Sequence, residues 1–243
     1  MKKKAISLVL SAVMLGSLAT APVYAAGDTK AESSTEETAV DEKDTADDAQ
    51  TDDSEKTKYV IEAEQTNLDS KYGSGYSGST TGTGMVIADD TDSKSASNGY
   101  YVGWLYYNGA YLSFEFDADE DIDDLDIAFR LSAQYNNVEV TDDQIYVGIN
   151  YDEDSGEYEQ KFDLPLSIES YSEFSSGVKD FQDYVVAENV SVKKGHNTIE
   201  LMINNDIKGV GGTMKAAAPL VDCVYLSTTG TLTPVTYNSE FGG

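Results

Sequence analysis

Apolar side chains recur at every second position in short runs between residues 58 and 228, and this period limits the fold more than any other feature of the chain. Successive side chains of a strand point to opposite faces, so a sheet with one buried face needs this alternation. No stretch of this region keeps a helical period of 3.6 residues. The clearest runs are Tyr59–Ala63, Leu112–Phe116, Leu125–Leu131, Ile145–Ile149, Ile199–Ile203 and Val221–Tyr225.

Turn-forming residues separate these runs. Asn108-Gly109 lies between two strand candidates, and Asp154-Ser155-Gly156 lies between two others. About nine or ten short strands in one region are typical of two packed antiparallel sheets. The sequence therefore predicts an all-β domain over 58–228, an antiparallel β-sandwich of the jelly-roll type. Residues 229–243 lack a strong strand pattern and are predicted to be a C-terminal tail.

The N-terminus has the features of an export signal. Lys2, Lys3 and Lys4 precede an apolar run that ends near small residues at Ala25, so residues 1–25 are predicted to be a signal peptide. Residues 26–57 are acidic, rich in Ser and Thr and free of aromatic residues, as in a disordered linker. We therefore expect a secreted, extracellular or cell-surface-associated protein, without membrane insertion after signal removal.

Composition excludes several classes of function. The chain has one histidine and one cysteine, too few for a Cys/His zinc site or an internal disulfide. Its formal net charge of −28 repels nucleic acids and anionic lipids. Neutral ligands and divalent cations remain as candidate partners.

Three acidic residues indicate a cation site. Strand alternation would place Glu62 and Glu64 on one face, about 7 Å apart, and Asp222 is the acid of an apolar run near the other end of the domain. If the first and last strands are neighbours, the three carboxylates converge and would bind a hard ion such as calcium. The spacing is equally compatible with a solvated surface pair.

Four segments in this order resemble carbohydrate-binding modules of families 6 and 35, which are non-catalytic β-sandwich modules. They are Ile61–Glu64, Ser97–Trp104, Val192–Leu201 and Ala218–Asp222. The resemblance spans most of residues 58–228. It implies a glycan ligand and glycan-degrading enzymes as partners, here acting in trans because this chain contains no recognisable catalytic domain.

The resemblance also implies which residues bind calcium. Glu62, Glu64 and Asp222 match the acidic ligands of a structural ion, and a backbone carbonyl near Gly99 would complete its shell. Members of these families often carry a sugar-binding Asn two residues before the closing Asp. Leu220 stands there in this chain. Because a leucine side chain forms no hydrogen bonds with sugar hydroxyls, we expect an altered ligand site.

Aromatic residues in loops are the candidate sugar platforms, because a pyranose ring presents an apolar C–H face to an aromatic ring. The candidates are Tyr72, Tyr76, Tyr106, Tyr107, Tyr171 and Phe174. Any single ring could instead cover a loop. Trp104 is predicted to be core, and Cys223 a small buried residue.

The leading hypothesis is a secreted, calcium-stabilised module without catalytic activity that binds a neutral polysaccharide or oligosaccharide through aromatic edge loops. The alternative is a structural or adhesive surface protein that uses the same sandwich for protein contacts. A glycan-cleaving enzyme is a third hypothesis. It is disfavoured because two acids on one strand point in parallel, whereas catalytic carboxylates face each other across the substrate.

Overall fold

The computed structural model describes residues 55–68, 84–89, 95–134, 137–170, 180–208 and 215–241. The predicted signal peptide and nearly all of the predicted linker lie outside these residues. No helix among the described residues is long and apolar enough to cross a membrane. The strands are β1 (Thr57–Glu62), β2 (Met85–Ala88), β3 (Tyr100–Gly103), β4 (Tyr111–Ala118), β5 (Ile122–Ser132), β6 (Val138–Val140), β7 (Ile145–Asp152), β8 (Glu157–Asp163), β9 (Leu166–Ile168), β10 (Gln182–Val192), β11 (Gly195–Ile203), β12 (Leu220–Thr228) and β13 (Leu232–Pro234).

The strands form two main antiparallel sheets. The first has the order β10-β5-β12-β3-β2, with β1 also paired to β12, and the second has the order β13-β4-β11-β7-β8. Strands β6 and β9 form a separate pair. Several consecutive strands alternate between the two main sheets, as in a jelly roll. The predicted all-β antiparallel sandwich is confirmed.

The core lies between the two main sheets and follows the predicted alternation. On β5, Leu125, Ile127, Phe129 and Leu131 are fully buried, while the residues between them are more exposed. Phe129 meets Phe114 of β4 edge to face, with ring centroids 5.4 Å apart. This contact joins the two sheets directly, so truncating either ring would cost about 3–5 kcal/mol.

Strand β12 changes partner along its length. Its first half meets β3, where Val221 pairs with Val102, and its second half meets β1, where Cys223 pairs with Glu62. Strand β5 runs along its other side. Strands β1 and β3 therefore lie end to end beside β12, and the junction between them is next to Asp222.

The folded domain continues beyond residue 228. Strand β13 pairs with β4 within the region predicted to be a tail, and Ser239–Phe241 forms a 3-10 turn with Phe241 buried. Asn238 donates hydrogen bonds to the carbonyls of Glu64 and Thr66. The sequence did not predict β13, because a strand of three residues is too short to show an alternation of apolar and polar side chains.

Candidate functional site

Two carboxylates, those of Glu62 and Asp222, meet at the junction of β1, β3 and β12, and the Glu64 carboxylate lies near enough to repel both. One carboxylate oxygen each from Glu62 and Asp222 and the Cys223 sulfur all lie within 4.8 Å of one another. Glu64 joins the group through the loop that precedes β3, where Asn98 Nδ2 donates to Glu64 Oε1 at 2.9 Å. We refer to Glu62, Glu64 and Asp222 as the carboxylate cluster.

A β-bulge in β12 directs Asp222 into the cluster. Val221 pairs with Leu131 of β5, and Cys223 pairs with the adjacent Arg130, so Asp222 is the extra residue. Val221 and Val224 both pack in the main core, whereas Cys223 does not belong to it. The predicted alternation of Val221, Cys223 and Tyr225 is therefore wrong from Cys223 onward. Cys223 is buried as predicted, but beside the carboxylates.

Glu64 reaches the cluster from a turn. Strand β1 ends at Glu62, and Ala63–Gln65 forms a 3-10 turn. The prediction that both glutamates share one strand is therefore wrong, although both join the same group. Glu64 is buried, and its Oε2 atom has no hydrogen-bond partner among the described residues. A buried carboxylate oxygen without a partner costs free energy, and a bound cation would supply that partner.

The Ser97 residue links two of the acids. Its hydroxyl oxygen lies 2.7 Å from Glu62 Oε2 and 3.1 Å from Asp222 Oδ1, and its backbone N–H donates to Asp222 at 3.0 Å. Gly99, two residues later, has a φ of +76°, which favours glycine. Its carbonyl accepts a hydrogen bond from Asp89 N at 2.8 Å. The role of this carbonyl as a calcium ligand stays a prediction.

One guanidinium partly balances the cluster. Arg130 Nε lies 3.0 Å from Asp222 Oδ2, while its two terminal nitrogens donate to Asp183 at 2.8 Å and to the Ser95 carbonyl at 3.0 Å. Ionising all three acids of the cluster would place three negative charges beside this one positive charge. Because Arg130 also pairs with Asp183, its charge does not fully balance the cluster, and a divalent cation would offset two of the remaining negative charges.

The pKa values of the three acids show how poorly they tolerate ionisation without a cation. Burial, together with repulsion from Glu62 and Asp222, raises the pKa of Glu64 to about 7. Burial and repulsion from Glu62 raise the pKa of Asp222 to about 6. Burial also raises the pKa of Glu62.

The donor set fits calcium. Hard divalent cations take carboxylate and carbonyl oxygens, and the unpartnered Glu64 Oε2 offers one such atom. Burial raises the pKa of the neighbouring Cys223 thiol, which therefore stays protonated and is a poor metal ligand. The fold and this cluster thus define an antiparallel β-sandwich whose first and last long strands meet at a candidate cation site.

Only two of the six predicted aromatic platforms, Tyr106 and Tyr107, lie within the described residues. Tyr72, Tyr76, Tyr171 and Phe174 lie outside the described residues. Tyr106 is only 7% exposed and packs in the main core, so it offers little ring surface to a ligand. Tyr107 is half-buried, with the Lys215 ammonium 5.5 Å from its ring centroid.

Trp104 was predicted to be core and instead is 39% exposed. The reason is local, because β3 ends at Gly103 and Trp104 has a φ of +66°, which breaks the alternation. Its ring meets Tyr106 edge to face at 6.2 Å.

Leu220 occupies a second, small core. It is 1% exposed and packs with Ala96, Tyr101 and Phe181 on the face of the first sheet away from the main core. Its side chain thus helps to seat the loop that carries Ser97. At this position the chain has a packing residue in place of a sugar-binding amide.

A group of tyrosines on the second sheet was missed by the sequence analysis. Tyr146 of β7, Tyr151 at the end of β7 and Tyr158 of β8 line one open cleft with Tyr111 of β4. The sequence could have indicated this group, because Tyr146 alternates with the apolar residues Ile145, Val147 and Ile149 and so faces away from the core. An aromatic residue at an outward position of a half-buried strand indicates an exposed ring.

No protein-family model matches this chain, and no curated protein matches it in sequence. Solved structures similar to it include family 35 carbohydrate-binding modules. One from Cellvibrio japonicus Abf62 is 13% identical with a TM-score of 0.40, covering 73% of this chain and 97% of that module. One from Clostridium thermocellum is 20% identical with a TM-score of 0.41, covering 70% and 98%.

A third such module, described as being in complex with a glucuronic acid containing disaccharide, is 14% identical with a TM-score of 0.36, and the match covers 77% of this chain and 96% of that one. At TM-scores below 0.5 these likenesses carry no weight for function, which depends on the site itself.

Proposed function

We propose that this chain is a secreted, non-catalytic carbohydrate-binding protein whose sandwich is stabilised by calcium and whose ligand is a neutral glycan. The observation that carries the proposal is the meeting of Glu62 and Asp222 where β12 changes partner, with the buried Glu64 carboxylate near enough to repel both. The same three residues are the calcium ligands implied by the sequence resemblance, so the geometry and the motifs support one another.

Calcium would have a structural role at this position. Glu62 belongs to β1, Glu64 to the following turn and Asp222 to β12, so a shared ion would fasten the beginning of the domain to its last long strand. Asn98 connects the same group to the C-terminal turn by donating to Glu64 and to the Phe241 carbonyl. The ion would thus hold three separate parts of the chain together.

A catalytic role for these acids is disfavoured by burial. Glu64 and Asp222 have no exposed surface, so a substrate could not reach them, and Glu62 alone is partly exposed and would lack a second catalytic acid. General acid–base catalysis requires contact within hydrogen-bond distance of the reacting group. The cluster is therefore suited to holding an ion and not to cleaving a glycan.

The charge of the chain favours a neutral ligand. A formal net charge of −28 disfavours close approach of polyanions. Neutral sugars need apolar ring faces and hydrogen-bonding groups together, and a tyrosine-rich surface provides both. Neutral polysaccharides and oligosaccharides are therefore the expected ligands.

A glycan panel tests the proposal. The protein would be recovered from the culture medium of an expressing bacterium, which also tests export, and run in affinity gels that contain neutral or uronic acid polysaccharides. Calorimetry would then measure affinity for oligosaccharides of the retarding polymers. We expect retardation by at least one neutral polysaccharide and no product release. Absence of binding across the panel would refute a glycan ligand and favour the adhesive alternative.

A further inference from the structure

An open cleft of about 830 Å³ lies on the second sheet, on the face away from the main core. Its lining includes Tyr146, Tyr151, Tyr158, Glu157 and Glu200. Its volume falls within the range of small-molecule sites in proteins. The carboxylate cluster involves none of these residues, and Glu200 is the one of them that lies in a segment of the sequence resemblance, so the cleft is a separate feature of the molecule.

One ring that lines the cleft, that of Tyr158, lies over a glycine. Gly148 of β7 has no side chain, and the Tyr158 ring lies over it so closely that a Cβ atom there would be 2.3 Å from the ring. The Tyr158 hydroxyl donates to Glu200 Oε2 of β11 at 2.6 Å. The ring is therefore fixed at its face and at its tip, which makes it a preorganised platform.

Two further rings extend this platform. The Tyr146 and Tyr158 centroids are 6.0 Å apart in an edge-to-face contact, and the Tyr151 and Tyr158 centroids are 5.0 Å apart. Tyr151 is 47% exposed, and the preceding Asn150 has a φ of +51°, which interrupts the regular alternation of β7. Tyr158 therefore contacts both other rings, and the three rings form one aromatic group on this face of the sheet.

The charges around this aromatic group favour a ligand with hydroxyl groups and no negative charge. Glu157 and Glu200 place carboxylate oxygens beside the rings, where sugar hydroxyls could donate to them. Lys161 lies 4.1 Å above the Tyr146 centroid, but it is also paired with Asp143 at 2.9 Å. This lysine is therefore already balanced and gives the cleft no surplus of positive charge.

We propose that this tyrosine cleft is the glycan-binding surface, and that a neutral saccharide chain lies across Tyr146, Tyr158 and Tyr151. The inference rests on the proposed carbohydrate-binding function and moves the ligand from the edge loops to the face of the second sheet. Apolar sugar faces would pack on the rings, and the sugar hydroxyls would hydrogen-bond to the flanking carboxylates and to the tyrosine hydroxyls.

The test uses matched tyrosine variants of the full secreted protein and a neutral oligosaccharide identified by the panel. Tyr151→Ala removes a cleft ring that is 47% exposed, so folding should be preserved. Tyr237→Ala removes a 44% exposed ring that does not line the cleft and is the control. Tyr107→Ala tests the edge-loop location. Calorimetry measures affinity, and melting curves confirm that each variant is folded.

We expect Tyr151→Ala to weaken binding about ten-fold, the loss of about 1.4 kcal/mol that removing one stacking ring can cause. Tyr237→Ala and Tyr107→Ala should bind like the unmodified protein. If Tyr107→Ala loses binding and Tyr151→Ala does not, the cleft proposal is wrong while the glycan-binding function stands. If the unmodified protein binds no glycan, the proposed function itself fails.

A second readout needs no variant. Hydroxyl-radical footprinting with mass spectrometry compares tyrosine oxidation in the unmodified protein with and without saturating oligosaccharide. We expect protection of Tyr146, Tyr151 and Tyr158, with Tyr237 unaffected. Equal oxidation of the three cleft tyrosines in both samples would overturn the proposal.

Discussion

Removal of calcium should reverse the usual dependence of stability on pH. In the metal-free protein the carboxylate cluster destabilises the folded state only when its acids are ionised. Burial raises the pKa of Glu64 from 4.5 to about 7 and that of Asp222 from 3.8 to about 6. The folded state therefore binds more protons than the unfolded state between pH 4 and 7. Stability must then fall as the pH rises through this window.

The expected magnitude follows from the shift of Glu64. A rise of about 2.5 units corresponds to about 3 kcal/mol of stability lost between pH 4.5 and pH 7, because one unit is worth 1.36 kcal/mol. Ionisation of Asp222 lowers the stability further. This second contribution is not fully additive, because part of the Glu64 shift is already the repulsion between these two acids. For a domain of this size, 3 kcal/mol corresponds to about 6 to 12 °C in melting temperature.

Calcium removes this cost by binding the ionised cluster. An ion present at 100 times its dissociation constant adds about 2.7 kcal/mol to the free energy of unfolding. The difference in melting temperature between calcium-loaded and metal-depleted protein should therefore be large at pH 8. It should shrink towards pH 5, where protons compete with calcium for Glu64 and Asp222.

Differential scanning calorimetry from pH 5 to pH 8, with and without 1 mM CaCl₂, measures this difference at each pH. Glu64→Gln is the matched control, because it keeps the size and the acceptor for Asn98 but cannot ionise. Without metal, this variant should lose most of the pH dependence and should gain little from calcium. The variant thereby distinguishes the pH dependence caused by the carboxylate cluster from that caused by repulsion among all charges of a chain with a net charge of −28. Coincident melting curves with and without calcium at pH 8 would refute the reasoning.

Three further variants test other parts of the structure. Arg130→Met leaves the buried Asp222 without its guanidinium partner and should cost about 3 kcal/mol in urea denaturation, more without calcium than with it; equal costs would contradict a link between this pair and the ion. Leu220→Asn buries an amide in the small core and should also cost about 3 kcal/mol, with no gain in glycan affinity in calorimetry. Gly148→Ala should displace the Tyr158 ring and weaken glycan binding while lowering the melting temperature by about 2 to 12 °C; full affinity would show that this ring is not a platform.

The sandwich could be predicted from the sequence because its long strands each bury one face. Leu125 to Leu131 on β5 and Ile199 to Ile203 on β11 alternate without interruption, and the structure buries the predicted side chains. The meeting of Glu62 and Asp222 could also be inferred, because it needs only that the first strand pairs with the last long strand, β12. These features depend on local alternation and simple topology.

The errors occur where the backbone leaves the regular strand. The bulge at Asp222, the 3-10 turn at Glu64 and the positive φ of Trp104 each change the direction of a side chain by one residue. A period of two carries no information about such interruptions, since one inserted residue reverses every later assignment. For this reason the predicted burial of Trp104 was wrong, as was the face of β12 assigned to Cys223, although Cys223 is buried as predicted.

The tyrosine cleft depends on a different kind of information. Turn and strand residues separate Tyr146, Tyr151 and Tyr158 along the chain. In the sequence each of them is a single aromatic residue between non-aromatic neighbours. What makes them one surface is the pairing of β7 with β8 and the missing side chain at Gly148, which lets a neighbouring ring lie flat. A glycine on the outward face of a strand weakens that strand. Here the glycine lies beneath a tyrosine whose hydroxyl is also held by Glu200, and this three-residue contact joins β7, β8 and β11, so it cannot be inferred from the spacing of the tyrosines along the chain.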